Sequence, residues 1–191
     1  MICVGGTGTY VIFWRAEAPT TLDGFKGKKV SAAGPMPLSV VEALGCVPVS
    51  LNVTDNYLAL DRGTVDGCFN SWPTVPVFKL NEVIKGVTEV GLTITPFIIT
   101  MNKDTYEKLP PECQELLDAN AEKYSDMMAI GHHQLGEVGK KMCMDAGIEI
   151  VQLSPTEMTK AQERFKPIFT SWVSDVEAMG LPGEDALSDL Y

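Results

Sequence analysis

Positive charge is scarce in this chain of 191 residues. Fifteen lysine and arginine residues stand against 25 aspartate and glutamate residues, and the formal net charge at pH 7 is −10. A nucleic-acid-binding domain needs a basic surface that displaces counterions from phosphates. The sequence contains no basic stripe of this kind, so we exclude nucleic acid as a partner. Acidity by itself favours solubility and says little about function.

Histidine and catalytic signatures are also scarce. The two histidines, His132 and His133, are adjacent, and neighbouring residues of a helix point to different faces. No third ligand stands at a zinc-like spacing, so we expect structural or surface histidines and no metal site. The glycine-rich residues 5–8 lack the spacing of a phosphate-binding fingerprint. No nucleophile-elbow or Walker motif occurs, and we therefore expect neither enzyme chemistry nor a cofactor.

Long apolar runs and paired cysteines are missing as well. No run approaches the roughly 20 residues that span a membrane, and the first residues lack the charged start of a secretory signal. An odd cysteine count leaves at least one free thiol, which is unusual in an oxidising compartment. The cysteines show no C-x-x-C pair and no metal-like spacing, so we expect small buried apolar side chains. They are Cys3, Cys46, Cys68, Cys113 and Cys143.

The most informative stretch that is present, residues 45–70, is typical of a strand, a capped helix and a second strand. Residues 47–51 are a short apolar run, Thr54 is the expected helix cap, and Gly63 is expected to end the helix in a left-handed conformation. This compact unit predicts parallel strands with a right-handed crossover. Open α/β sheets bind ligands at the carboxyl ends of such strands. The residues expected on the buried side of the helix are Tyr57, Leu58 and Leu60.

Similar patterns divide the rest of the chain. Further strands are predicted at residues 2–5, 10–14, 28–32, 87–92, 97–101 and 148–153. Further helices are predicted at residues 37–44, 78–84, 111–146 and 155–179, with a short helical tail. Residues 6–8 are expected to form a turn and Thr95-Pro96 a hinge, because proline restrains two residues of the backbone. Ser154-Pro155-Thr156-Glu157 is a capping box that starts the last long helix.

These motifs resemble the solute-binding subunit of TRAP transporters, the DctP family, whose members capture small organic solutes outside the cytoplasmic membrane. Residues 21–30 and residues 101–114 resemble two motifs of the family, and the resemblance runs over nearly the whole chain. The family pattern around the Val-Asp-Gly turn is matched by Gly45, Pro48, Asp55, Tyr57, Ala59, Leu60, Gly63, Val65, Asp66, Gly67 and Asn70.

The resemblance implies an α/β fold of the type II periplasmic-binding-protein kind, with a mixed, mostly parallel sheet flanked by helices and a long hinge helix. Residues 1–95 would form the second lobe, residues 96–135 a partial first-lobe segment with a strand and the start of the long helix, and residues 136–191 the return to the second lobe with the C-terminal helices. Family members are longer, so most of the first lobe is expected to be absent. Either the chain is a cut piece of the protein or the gene is truncated.

The resemblance also implies a ligand site at one edge of the sheet. Ser31 replaces the arginine that pairs with the solute carboxylate in the family, Tyr10 replaces a second basic residue of some members, and the family asparagine is kept as Asn70. Serine offers a hydrogen bond but no charge, and an unpaired buried carboxylate costs several kcal/mol. The candidate ligand contacts are Thr9, Tyr10, Ser31, Phe69, Asn70 and Trp72.

Two alternatives stay open for this site. Phe69 and Trp72 are either ligand-facing or ordinary core. Lys28, Lys29 or Arg15 is a candidate substitute for the missing arginine, although strand alternation directs only some of them inward. Without such a cation, the pocket favours a neutral, zwitterionic or aromatic solute.

The implied function is capture of a small organic solute between two closing lobes in the periplasm, followed by delivery to the membrane subunits of a TRAP permease. The alternative is a binding-protein-like domain recruited as a sensor or an enzyme, or a truncated remnant without a ligand. A homo-oligomer is also expected. An unpaired strand at residues 97–101 and a half-exposed long helix favour pairing with a second copy.

Overall fold

A computed structural model of the chain describes residues 2–188. The predicted lobes include residue 1 and residues 189–191, which lie outside the described residues. The strands are β1 (Cys3–Trp14), β2 (Lys29–Ala32), β3 (Val47–Ser50), β4 (Gly67–Ser71), β5 (Gly86–Ile99) and β6 (Glu149–Gln152). The helices are α1 (Pro35–Ala43), α2 (Asn56–Arg62), α3 (Thr74–Phe78), α4 (Lys103–Glu107), α5 (Pro111–Asp145), α6 (Pro155–Ala178) and α7 (Gly183–Ser188). Short 3₁₀ turns occur at Leu22–Phe25, Val53–Asp55 and Leu80–Glu82.

One strand runs against all the others. The six strands follow the order β3-β2-β4-β1-β5-β6. Strand β1 is antiparallel to β4 and β5, whereas β2–β3, β2–β4 and β5–β6 are parallel pairs. The predicted mixed, mostly parallel α/β sheet is confirmed. The strand–helix–strand unit is confirmed as β3, α2 and β4, but β2 lies between its two strands.

Both faces of the sheet are buried. On one face Ile12 and Trp14 pack with α1 and α6. On the other face Val11 and Phe13 pack with α2, α3 and the C-terminal end of α5. Successive side chains of a strand alternate between faces, so this part of β1 needs apolar residues at every position. That requirement accounts for its continuous apolar sequence.

The sequence predicted two strands at residues 2–5 and 10–14 and two more at residues 87–92 and 97–101, and this division is wrong. Strands β1 and β5 are each continuous, and the two pair along their length from Cys3 opposite Ile99 to Trp14 opposite Gly86. The turn expected at residues 6–8 is instead an irregularity in the ladder, where the register shifts. The long ladder outweighs the local turn preference because it satisfies backbone groups at both ends of the pair.

Pro96 fits inside β5 because of the edge that it faces. The Thr95 N–H donates to Thr7 Oγ1 at 3.2 Å, and the Ile99 carbonyl accepts from the Ile2 N–H at 2.7 Å. The backbone groups of these odd-numbered residues therefore point towards β1, and the backbone nitrogen of Pro96 points to the opposite edge of β5. That edge is open at Pro96, because β6 pairs with β5 only along residues 86–89. A missing N–H costs no ladder hydrogen bond at an open edge.

Several helix boundaries differ from the prediction. The α-helix expected at residues 78–84 is wrong, because α3 ends where Lys79 takes a left-handed φ of 54° and a 3₁₀ turn follows. The Thr54 cap is also wrong, since a 3₁₀ turn covers that residue and α2 begins at Asn56. Leu58 is exposed, whereas Leu60 is buried as predicted.

Other predicted features are confirmed. Helix α5 runs over 35 residues, close to the predicted bounds. Gly63 has a φ of 70° just beyond α2, as predicted. The Ser154 side chain accepts from the Glu157 N–H, as expected for a cap. Among the described helices, none combines the length and the apolar character needed to cross a membrane.

Helix α5 lies directly against the segment that follows β4. Gly136 is close to Trp72 and Pro73, and a side chain at Gly139 would overlap the Trp72 carbonyl. Near this contact Lys140 Nζ donates to Glu89 Oε1 at 2.7 Å, and Gln152 donates to the other oxygen of Glu89 at 2.9 Å. These contacts join α5 to β5 and β6.

Gly139→Ala is expected to lower the free energy of unfolding by about 1–3 kcal/mol, the usual cost of overpacking. The new methyl group would overlap the Trp72 carbonyl and lie 3.1 Å from Pro76 Cδ. Gly131→Ala in the same helix is the control, because nothing lies within 4 Å of its added methyl. Better helix propensity should make that change neutral or stabilising by up to about 1 kcal/mol. Urea unfolding measures both, and equal losses would contradict the close contact.

A candidate ligand site at the carboxyl edge of the sheet

The parallel strands β2 and β4 end at the same edge of the sheet, at Ala32 and Ser71. Strand β1 passes this edge at Tyr10, which lies opposite Ser71 in the ladder. Helix α1 starts just after β2, at Pro35. Ligands of open α/β sheets bind outside the carboxyl ends of the strands, so this edge is the place to look for a site.

A cavity of about 260 Å³ lies at this edge, between the start of α1 and the strands β1 and β5. None of its nine lining residues is acidic or basic. A cavity of about 320 Å³ also lies beside α4 and α5, but none of its lining residues comes from β2, β4 or α1. We therefore favour the edge cavity, which lies at the carboxyl ends of the parallel strands. The residues of the edge cavity are Tyr10, Ala33, Met36, Pro37, Val40, Thr93, Ile94, Thr95 and Pro96.

Tyr10 is the polar centre of the cavity. Its hydroxyl oxygen accepts a hydrogen bond from Thr95 Oγ1 at 3.0 Å. Its ring packs on Phe69 with the two ring centroids 5.0 Å apart. Phe69 is itself buried in the core beneath the edge. A buried aromatic base and a hydroxyl partner therefore hold the Tyr10 side chain in place.

Ser31 lies elsewhere. It is fully buried and donates to Asn56 Oδ1 at 2.7 Å, and Asn56 is also buried. A serine hydroxyl has one proton to donate, and here that proton is used inside the lobe. The proposed role of Ser31 as a ligand contact stays a prediction, but its hydrogen bond gives it a structural role in joining β2 to α2.

The candidate substitute cations lie near the amino ends of the strands. Lys29 is the first residue of β2, and its N–H donates to Asp66 at 2.8 Å. Lys28 Nζ is 6.0 Å from the Trp14 ring centroid. Arg15 follows the last residue of β1 and lies against Gly63. The opposite, carboxyl edge of the sheet holds the cavity, so these residues do not supply its charge.

The remaining predicted contacts do not line the cavity. Asn70 Oδ1 accepts from the Ser71 N–H at 2.9 Å. Trp72 belongs to the core of the other sheet face, where it makes an edge-to-face contact with Phe13. Thr9 is exposed and pairs with Ile94, which does line the cavity. Of the six candidates, the structure brings Tyr10 and Phe69 into contact, with Thr9 nearby.

Sequence reasoning missed the residues from α1 and β5. Met36, Pro37 and Val40 come from the first turns of α1, and Thr95 supplies the partner of Tyr10. The Gly34-Pro35 break directly after a strand was the available signal, because it places the next helix start at the carboxyl edge. The contribution of β5 depends on pairing between residues about 85 positions apart.

Burial and hydrogen bonds shift the pKa values of several described side chains. Burial raises the pKa of Cys46 and of Cys68 to about 12, so both thiols stay protonated at neutral pH. Burial alone would raise the pKa of Glu89, but the hydrogen bonds from Lys140 and Gln152 more than offset it and leave the pKa below its ordinary value. No group of metal-binding side chains occurs within residues 2–188.

Residues 10–175 match the model of family 7 of the bacterial extracellular solute-binding proteins, DctP. The chain belongs to this family. Among the curated members it resembles the C4-dicarboxylate-binding periplasmic protein DctP of Rhodobacter capsulatus, with 27% identity over 156 residues. That alignment covers 80% of this chain and 47% of the relative.

Solved structures of TRAP solute-binding proteins share the fold. One from Rhodoferax ferrireducens T118, in complex with copurified benzoate, has a TM-score of 0.90 at 22% identity and covers 98% of this chain. One from a marine metagenome, specific for aromatic acid ligands and bound to metahydroxyphenylacetate, has a TM-score of 0.88 at 26% identity and covers 96% of this chain. The matches span 60% and 59% of those DctP-family chains.

Ser31→Ala is expected to lower the free energy of unfolding by about 1–3 kcal/mol, because it leaves the buried Asn56 oxygen without its donor. Ser39→Ala is the matched control. Ser39 bonds the Pro35 carbonyl at 3.2 Å on the surface of α1, and its loss should change stability by no more than about 0.5 kcal/mol. Thermal or urea unfolding measures both variants. A neutral Ser31→Ala would contradict the structural role of this hydroxyl.

Proposed function

We propose that this chain is the solute-capturing part of an extracytoplasmic binding protein of a TRAP-type transporter, and that it delivers a small organic solute to the membrane subunits of the permease. The observation that carries the proposal is the family match over residues 10–175. The curated relative is named as periplasmic, which supports a periplasmic location. No catalytic role is proposed, and the sensor or enzyme alternative gains no support.

The proposed binding mode is enclosure between two lobes. Residues 1–95 and 136–191 are assigned to one lobe and residues 96–135 to the other. Burial supports this division, because none of residues 96–135, all of which the structure describes, is buried. The edge cavity lies where the two assignments meet, at Thr95 and Pro96. Sites between lobes gain affinity by covering the ligand from both sides.

The proposed solute is not held by an arginine of this lobe. Ser31 stands in the arginine position and its proton is donated to Asn56. The cavity lining carries no charge, whereas Tyr10 and Phe69 give it an aromatic wall. The similar proteins bind benzoate and metahydroxyphenylacetate. The ligands of the similar proteins and the aromatic wall support a ring, and the uncharged lining supports a solute with little charge. We therefore propose a ring-bearing or neutral solute rather than a simple dicarboxylate.

A thermal-shift screen with small organic acids, alcohols and amides tests the function. At a concentration of about 100 Kd, a true solute should stabilise the chain by about 2.7 kcal/mol, or roughly 5–10 °C in Tm. Tyr10→Ala should abolish the shift, whereas Tyr124→Ala, an exposed tyrosine on α5, should preserve it. A chain that no small organic solute stabilises would contradict the proposal.

We also propose that the chain self-associates. Residues 3–6 of β1 and residues 96–99 of β5 form a two-stranded ribbon. Its β1 edge bonds α5 through the Val4 N–H and Ser125 Oγ, whereas its β5 edge pairs with no other strand in the described part of the chain. Its apolar residues are largely exposed, among them Val4, Phe97, Ile98 and Ile99. Unpaired edges with apolar side chains favour pairing with another chain. A second copy offers an identical ribbon.

Light scattering over a concentration series should therefore reveal a dimer or a larger species. Ile98→Lys should shift the chain towards the monomer, because Ile98 is 59% exposed on the ribbon and a charge there opposes apolar pairing. Met179→Lys is the control, since Met179 is exposed at the end of α6, outside the ribbon. A wild-type chain that remains monomeric at high concentration would rule out the association.

A further inference from the structure

We infer that the edge cavity is a subsite for a single uncharged aromatic ring whose substituent accepts a hydrogen bond from Tyr10. The solute class is a small neutral aryl compound, such as an aryl amide. This inference rests on the proposed function and narrows it. Three properties of the cavity carry the inference: its size, its missing charge and the free proton of Tyr10.

The size of the cavity fits one ring. Its volume is about 260 Å³. An apolar cavity of about 150 Å³ already binds benzene, and sites for drug-sized ligands begin at about 300 Å³. The cavity therefore has room for a ring with a small substituent, and a larger polycyclic solute would not fit without rearrangement.

The lining suits an aromatic ring. Pro37, Val40 and Pro96 supply apolar surface, and the thioether of Met36 is the kind of group that makes favourable contacts with ring edges. The Tyr10 ring, supported by Phe69, supplies an aromatic face. Met36 is 46% exposed, so its flexible side chain lies at the opening and can adjust to an occupant.

The Tyr10 hydroxyl has a proton to give. Thr95 Oγ1 donates to the Tyr10 oxygen at 3.0 Å. Among the hydrogen bonds formed within residues 2–188, none has the Tyr10 hydroxyl as donor. Each hydroxyl of this pair carries one proton and can donate as well as accept. The single bond between them uses one of the two protons, which leaves the other available to an acceptor on the ligand. Thr95 fixes the oxygen from which that proton is offered.

Charge discriminates between neutral and anionic rings. None of the nine lining residues is basic, and Arg15, Lys28 and Lys29 lie towards the amino ends of the strands. Lys140, on α5, is already paired with Glu89 at 2.7 Å. A carboxylate placed in the cavity would lose hydration without gaining a cation. This lobe should therefore prefer an aryl amide to the matching aryl carboxylate.

Methyl-detected NMR titration of the full 191-residue chain tests the inference with three probes: benzamide, benzoate and acetamide. Benzamide should shift the methyl signals of Met36, Val40 and Ile94. It should bind at least about tenfold more tightly than benzoate, because the two share a ring and differ in charge. Acetamide, which has the amide but no ring, should produce no shift at the same concentration.

Variants locate the binding. Met36→Trp should fill the cavity and abolish the benzamide shifts, whereas Met144→Trp, at an exposed methionine of α5, should leave them unchanged. If Met36→Trp fails to fold, Ala33→Leu occupies the same space. Tyr10→Phe should weaken benzamide about two- to tenfold, the effect of one hydrogen bond, and leave toluene binding unaltered.

Benzoate binding as tightly as benzamide would overturn the preference for a neutral ring, and benzamide shifts that survive both cavity-filling changes would overturn the location. Without any benzamide shift, the ring subsite is wrong. A stabilising solute in the thermal-shift screen would then still uphold the proposed function. If no organic solute stabilises the chain either, both fail together.

Discussion

The pairing of β1 with β5 is the constraint on which the rest of the structure depends. The ladder runs from Cys3 opposite Ile99 to Trp14 opposite Gly86 without a break in either strand. The part of the ladder around residues 11–14 of β1 is the centre of the sheet, and helices bury it on both faces. The other end of the ladder is the ribbon. It packs on α5, where the Val4 N–H donates to Ser125 Oγ at 3.0 Å. One pair of strands thus belongs to both the buried body and the exposed extension.

The candidate site follows from where the neighbours of this pair stop. Strand β4 pairs with β1 only as far as Tyr10, and β6 pairs with β5 only as far as Glu89. Beyond Tyr10 and Glu89, towards the ribbon, β1 and β5 pair only with each other in the described sheet. The start of α1 lies beside them there. The cavity lies where the six-stranded sheet narrows to the two-stranded ribbon, next to Tyr10 and Thr95. Its uncharged lining contrasts with the network of Glu89, Lys140 and Gln152 on the α5 side.

Local signals predicted much of this fold and little of the site. The strand–helix–strand unit, the long α5 and the Ser154 cap could be predicted because their causes are local: apolar periodicity, a left-handed glycine and a cap residue. The continuity of β1 and β5 could not, since pairing between distant residues overrides the turn preference of Gly-Thr-Gly and Thr95-Pro96. The Ser31–Asn56 bond and the Thr95–Tyr10 bond are likewise contacts between distant residues, which no sequence pattern specifies.

The anchoring of α5 has a mechanical consequence. The C-terminal part of the helix is held on the sheet, where Gly139 lies against Trp72 and Lys140 bonds Glu89. Its middle is held on the ribbon, where Ser125 Oγ accepts from the Val4 N–H. At 1.5 Å per residue, Pro111 lies about 44 Å from Lys140 along the axis. A turn of about 10° at the anchor would move that far end by roughly 8 Å. The helix and the ribbon bonded to it would therefore move together as a lever: a small rotation where α5 meets Trp72 would become a displacement as large as a ligand at the far end of the helix.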